Sequence, residues 1–208
     1  MGGSFMGSVD YCTAYGTVTA LGNESVGLGG IAGCIQSTPS ITKNTVTVTI
    51  NARSGHAIGG LCGYVGKEDD GDGIIEESCA ITDCKVTAII NTEVATHVGG
   101  LVGTGLYFYG MEDRFSVENC SVVGAINGAI TPGTVVGRAT NSTIISCSTD
   151  VKIDKSESNQ TIGTTDFLYR GGDQYEEGSE GAAIRLVSAL NGTYEEFFPV
   201  ILAEKYNY

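Results

Sequence analysis

With 11 basic against 24 acidic side chains in 208 residues, the chain carries a net charge of −13. Such a surface repels phosphate backbones and anionic headgroups, so nucleic acid and membrane surfaces are poor partners. Its 31 glycines, 3 prolines, 41% hydrophobic and 17% charged residues argue against a disordered tail and for one well-buried core, or at most two small ones.

Residues 1–7 (MGGSFMG) read as a broken copy of an internal glycine motif rather than a signal peptide, which suggests a piece of a longer chain. No apolar run reaches the ~18 residues of a membrane span. From residue 12 onward a second pattern recurs: CTAYGTVTA at 12–20, NTVTVTINA at 44–52, CKVTAIINT at 84–92, CSVVGAING at 120–128 and CSTDVKID at 147–154. Alternate residues fall on two faces, with Asn44, Val46, Val48, Ile50 and Ala52 on one and Thr45, Thr47, Thr49 and Asn51 on the other. This period of two predicts half-buried strands, whose register is well determined because a one-residue slip would put the threonines inside.

An apolar marker stands three residues before each start: Val9, Ile41, Ile81, Val117 and Ile144. After each of the first four strands comes a glycine motif: GGIAG at 29–33, GGLCG at 59–63, GGLVG at 99–103 and GTVVG at 133–137, with a remnant at Ile162 and Gly163. The strand starts step by 32, 40, 36 and 27 residues. Repeats of that length with strands and no helical pattern predict a coil, one turn per repeat, with equivalent residues stacked ~4.8 Å apart. Leu101, Leu61, Ile31 and Val135 should fill its interior, while the glycines serve corners that need positive φ or close backbone approach. Four of the seven cysteines (12, 84, 120 and 147) share one repeat position, the signature of inert, stacked core thiols rather than disulfides. No CxxC pair or His-Cys cluster suggests zinc.

The VGGLVG and IGGLCG stretches, with the strands that precede them, resemble the GLUG-motif repeats of bacterial surface proteins over roughly residues 2–165. The resemblance implies secreted or surface-exposed, adhesin-like bacterial proteins, some attached to large peptidases. The expected architecture is all-β: a right-handed parallel β-helix, or β-solenoid, of about five rungs spanning residues 1–165. Residues 166–208 are expected to cap it with a helix at about 180–190, ending at Asn191 and Gly192, and a strand at about 197–202. A short helix followed by an apolar strand also resembles the usual tail of these proteins. The N-terminal end shows no such plug, and an open edge there would promote end-to-end association.

Chemistry is expected in the variable connections. The spacing from the last glycine of a motif to the next marker is 8, 18, 14 and 7 residues, so the two long insertions belong to consecutive turns and should project side by side. Loop 64–80 is acidic, and its Glu68, Asp70 and Asp72 alternate before Gly73 in partial likeness to a calcium loop. Glu stands where that loop starts with Asp, and Cys79 where it ends with Glu, so a solvated acidic turn is the competing reading. Loop 104–116 is aromatic, and its Tyr107, Phe108 and Tyr109, with Arg114, are the candidate recognition residues. A satellite packing cluster is the alternative for the aromatics. His56 and His97 precede glycine motifs and should lie near one another in a structural role. The chain as a whole reads as a non-enzymatic adhesion or interaction module, binding a protein or glycan at a bacterial cell surface without a cofactor other than calcium. A polysaccharide-active β-helix enzyme or accessory domain and a structural spacer are the alternatives, since fold alone does not decide function.

Overall fold

The computed structural model describes residues 4–6, 8–22, 25–36, 40–66, 79–105, 115–139, 142–154 and 160–164. Seventeen strands wind through them. β1 (Ser4–Met6) precedes the first complete turn, which is formed by β2 (Val9–Asp10), β3 (Thr13–Ala20), β4 (Ser25–Gly29) and β5 (Ala32–Gln36). The second turn contains β6 (Ser40–Thr42), β7 (Thr45–Gly59) and β8 (Cys62–Gly66), and the third β9 (Cys79–Thr82), β10 (Lys85–Gly99) and β11 (Val102–Gly105). The fourth has β12 (Phe115–Glu118), β13 (Ser121–Ala129) and β14 (Val136–Arg138), and the fifth β15 (Thr143–Ile145), β16 (Ser148–Ile153) and β17 (Ile162–Thr164).

These strands form three sheets, each taking one strand position from successive turns: a short sheet β15-β12-β9-β6-β2, a long sheet β16-β13-β10-β7-β3 with β4 also on β7, and a glycine-side sheet β1-β5-β8-β11-β14-β17. Every pairing is parallel. The molecule is therefore a parallel β-helix of five turns, with no helix among the described residues. The expected cap, its helix at 180–190 and its strand at 197–202, lies outside the described residues.

The repeat phase read from the sequence is the register of the sheets. Thr13, Thr45, Lys85, Ser121 and Ser148 pair in succession, as do Val9, Ile41, Ile81, Val117 and Ile144. Backbone bonds link Ile31 N to Leu61 O, Leu61 N to Leu101 O and Leu101 N to Val135 O, so the motif's apolar residues stack as well. The inward column Ile50, Ile90 and Ile126 is essentially inaccessible to solvent. Burying each such side chain contributes about 1.5–3 kcal/mol. Parallel stacking in register lets one choice of inward residue recur at every level.

The motif glycines and the left-handed corners occupy different positions. Between the short and long sheets the chain turns through Tyr11, Lys43, Asp83, Asn119 and Ser146, none of them glycine, at φ values of 53–56°. Left-handed backbone costs an L-residue about 1–2 kcal/mol. It is maintained here by backbone bonds to the next turn, Tyr11 N to Thr42 O, Lys43 N to Thr82 O, Asp83 N to Glu118 O and Asn119 N to Ile145 O, at 3.0–3.1 Å. The long strand runs on into the glycine motif through a one-residue kink inside β7 and β10, at Ala57 (φ 57°) and His97 (φ 52°). The motif glycines instead allow close approach: a Cβ on Gly63 would stand 2.6 Å from Gly27 Cα and 2.6 Å from Leu28 N.

Gly63→Ala is accordingly expected to lower stability by about 1–3 kcal/mol through overpacking. Gly22→Ala, whose new methyl meets nothing closer than Ser25 Oγ at 3.9 Å, should stay within about 0.5 kcal/mol of the parent. Equal melting temperatures for the two variants would refute the close-approach role.

Candidate functional site

All the variable connections leave the glycine-side sheet and return at the short sheet, so they issue from one corner of the coil. The two long insertions have adjacent roots. Gly105 pairs with Val65 where they depart, and Phe115 pairs with Cys79 where they return. Val65, Cys79 and Phe115 are buried in the core, so each insertion is clamped at its base by packed side chains. Glu68, Asp70 and Asp72 of the acidic insertion, and Tyr107, Phe108, Tyr109 and Arg114 of the aromatic one, lie outside the described residues. The structure brings together the roots that carry them.

A second constellation escaped the sequence reading. Tyr64, Thr104 and Arg138 stand in register on β8, β11 and β14, each one residue beyond the last glycine of its motif. His56 and His97 lie beside this column. Their ring centroids are 6.4 Å apart at 81°, and His56 stands 6.4 Å from Tyr64 at 82°, both edge-to-face. The expected proximity of the two histidines is thus observed, although His56 pairs with Thr96 rather than with His97. All five side chains are at most 4% exposed. Aromatic edges and polar groups enclosed in this way specify packing between the kinked long strand and the glycine-side sheet. Their shared phase behind the motif glycine was the available signal, but one Tyr, one Thr and one Arg do not look alike as letters.

The third constellation is the column that begins each long strand. Cys84 and Cys120 are buried, Cys147 is half-buried and Cys12 is exposed at the end of the stack. Three of these thiols lie between two carbonyls that share their single donor: the closer is two residues back, Thr82 O, Glu118 O and Ile145 O at 3.4, 3.3 and 3.4 Å from Cys84, Cys120 and Cys147, and the other is the marker one turn earlier, Ile41 O, Ile81 O and Val117 O at 3.6, 3.7 and 3.6 Å. Asn44 replaces cysteine in the second turn and reaches the marker carbonyl with a stronger donor, Nδ2 to Val9 O at 2.7 Å, while its Oδ1 accepts from Cys12 N at 2.9 Å. The column is a corner clip that satisfies backbone groups where the strand ladder turns away.

The surroundings favour the protonated form of Cys62, Cys79, Cys120 and Cys147, whereas the hydrogen bond with the Cys120 thiol lowers Cys84 to about 7. Burial pushes Cys79 up to about 12 and Cys62 well above the ordinary thiol range, and the Cys84 thiol followed by burial raises Cys120. Thiolate chemistry needs an environment opposite to that of the four raised thiols. No disulfide joins the seven cysteines, and among the described residues no group of three or more His, Cys, Asp or Glu side chains is arranged to hold a metal ion.

The fold and these columns define a parallel β-helical repeat protein. Within it, the family model of the GLUG motif matches residues 94–127, the span from the end of β10 through the glycine motif and second insertion to β13. The chain carries a GLUG motif, and the matched segment is one turn of the coil. Comparison with curated proteins and with solved structures finds no match.

Asn44→Ala should destabilise the coil by about 1–3 kcal/mol, the cost of leaving buried backbone groups unbonded. Asn44→Cys, which restores the thiol clip of the other turns, should recover part of the loss; chemical denaturation of both variants checks the order. A thiol with a raised folded pKa contributes stability that is complete below its unfolded pKa of about 9 and lost as pH rises through the folded value. The melting temperature is therefore expected to fall between pH 9 and about 12, with a shallower fall in Cys79→Ala. An unchanged slope in that variant would remove Cys79 as a cause.

Proposed function

We propose that this chain is a non-enzymatic interaction module of a secreted or cell-surface bacterial protein, with insertions 64–80 and 104–116 forming one binding surface for a protein or glycan. The observation that supports this reading is the pairing of the insertion roots, Val65 with Gly105 and Cys79 with Phe115, on consecutive turns of a stiff coil. Two adjacent segments on a packed base give a partner a surface that loses little freedom on binding. In this reading Tyr107, Phe108 and Tyr109 supply apolar contact, and Arg114 a charged rim. The acidic segment with Glu68, Asp70 and Asp72 takes calcium or steers a cationic partner. The described outward positions of the long sheet agree with a non-enzymatic role. From Thr13 to Lys152 the outward positions present mostly hydroxyl, amide and apolar groups, with Lys85, the Arg53–Glu93 ion pair, Asp150 and Lys152 as charged exceptions, whereas glycan hydrolysis calls for paired carboxylates.

Deleting residues 107–109 should abolish binding of the labelled chain to host or bacterial cells while leaving its melting temperature nearly unchanged. Equal loss of binding and stability would assign the aromatics to packing instead. Running the same melts with a chelator decides the cation: a temperature that does not move removes calcium from the acidic insertion.

A further inference from the structure

One column on the outward face of the long sheet carries chemistry that the proposed binding surface does not use. Asn51, Asn91 and Asn127 stand in register, and their amides form a ladder. Asn91 Nδ2 donates to Asn51 Oδ1 at 3.0 Å, and Asn127 Nδ2 donates to Asn91 Oδ1 at 2.8 Å. The residues that follow these asparagines differ. Ala52 follows the first and Thr92 the second, and these two still pair with one another. Gly128 follows the third, at φ 79°, where a Cβ would collide with Thr92 O. The ladder between β10 and β13 breaks there, with pairing that jumps from Asn91–Asn127 to Ala95–Ala129.

Two side chains hold the peptide unit that joins Asn127 to Gly128. Gly128 N donates to both carboxylate oxygens of Asp154, just past β16, at 3.1 Å. Thr92 Oγ1 donates to Asn127 O at 3.1 Å. A base therefore faces the peptide nitrogen and a hydroxyl donor faces its oxygen. Removing the N–H proton leaves a negative charge that nitrogen and oxygen share, so both contacts favour the deprotonated, nucleophilic amide. The nitrogen after an asparagine closes a five-membered ring when it bonds to that side chain's Cγ. Glycine, with no Cβ, leaves the approach least hindered.

We propose that Asn127–Gly128 is a self-modification site, at which the folded chain converts Asn127 through a cyclic imide to aspartate and isoaspartate. Asp154 takes the proton of Gly128 N as this nitrogen bonds to Asn127 Cγ. The Cγ–Nδ2 bond then breaks, and ammonia leaves with the proton that Asp154 returns. Water opens the imide on either side of its nitrogen. The sum is one water consumed and one ammonia released, with nothing oxidised or reduced. The product has lost the donor to Asn91 Oδ1 and sets a second carboxylate beside Asp154. Modification therefore loosens the contacts of the fourth turn with its neighbours.

The test incubates the whole chain at neutral pH and follows each asparagine by peptide mass spectrometry, with aspartate and isoaspartate products separated. Asn127 is expected to convert while Asn51 and Asn91 stay intact. Asp154→Asn keeps an oxygen that can accept from Gly128 N but removes the base, and should slow conversion roughly tenfold or more. Thr92→Val, which removes the donor to Asn127 O, should slow it to a smaller degree. In denaturant the parent and both variants should convert at one rate, which separates the folded geometry from the Asn–Gly sequence itself. Faster conversion in Asp154→Asn would make the carboxylate a restraint on the backbone and overturn the proposal. An unchanged rate in that variant, or an intact Asn127 in the parent, overturns it as well. Should the variants fail to fold, the parent chain decides, because conversion slower in buffer than in denaturant rejects a role for the fold.

Discussion

The spacing between stacked parallel strands, ~4.8 Å, governs everything else in this molecule. At that distance each residue's neighbours above and below are its equivalents in the adjoining turns, and a side chain that fits once fits at every level. The isoleucine column at positions 50, 90 and 126 and the motif column at 31, 61, 101 and 135 are consequences of this constraint. So is the intolerance of the motif glycines to a Cβ, since at Gly63 the space a methyl would need is already filled by the backbone of the preceding turn.

The same constraint locates the freedom. A residue added inside a strand would shift a whole face, while residues added between the glycine-side and short sheets disturb no ladder. Turns of unequal length therefore keep their register: Val65 still meets Gly105 and Cys79 still meets Phe115 across insertions of different size. The proposed function falls at that corner because sequence varies there without cost to the stack. The buried Tyr64, His56, His97, Thr104 and Arg138 stand on the opposite footing. They are enclosed between sheet and kinked strand, where they fix packing.

Cysteine illustrates how chemistry follows position. Seven thiols in a net-negative chain invite a redox or metal reading, yet the repeat places four in one column, where three of them serve as weak donors shared between the carbonyl two residues back and the marker carbonyl one turn earlier. That Asn44 substitutes for cysteine in this column with two shorter hydrogen bonds shows the requirement is a small polar group at the corner rather than sulfur itself.

Periodicity alone determined the strand registers, the markers at 9, 41, 81, 117 and 144, the number of turns and the corner from which the insertions leave, because in-register stacking converts sequence phase directly into spatial neighbourhood. The tertiary structure decided what depends on closing the coil. It assigned left-handed backbone to Tyr11, Lys43, Asp83, Asn119 and Ser146 rather than to glycine, and kinked the long strand at Ala57 and His97 instead of ending it. It also buried Tyr64 and Arg138 and left Val18 half-covered at the first turn. None of these has a letter pattern of its own, since each arises where one side of the coil meets another or where the stack stops, and contacts of that kind are set by the whole cross-section.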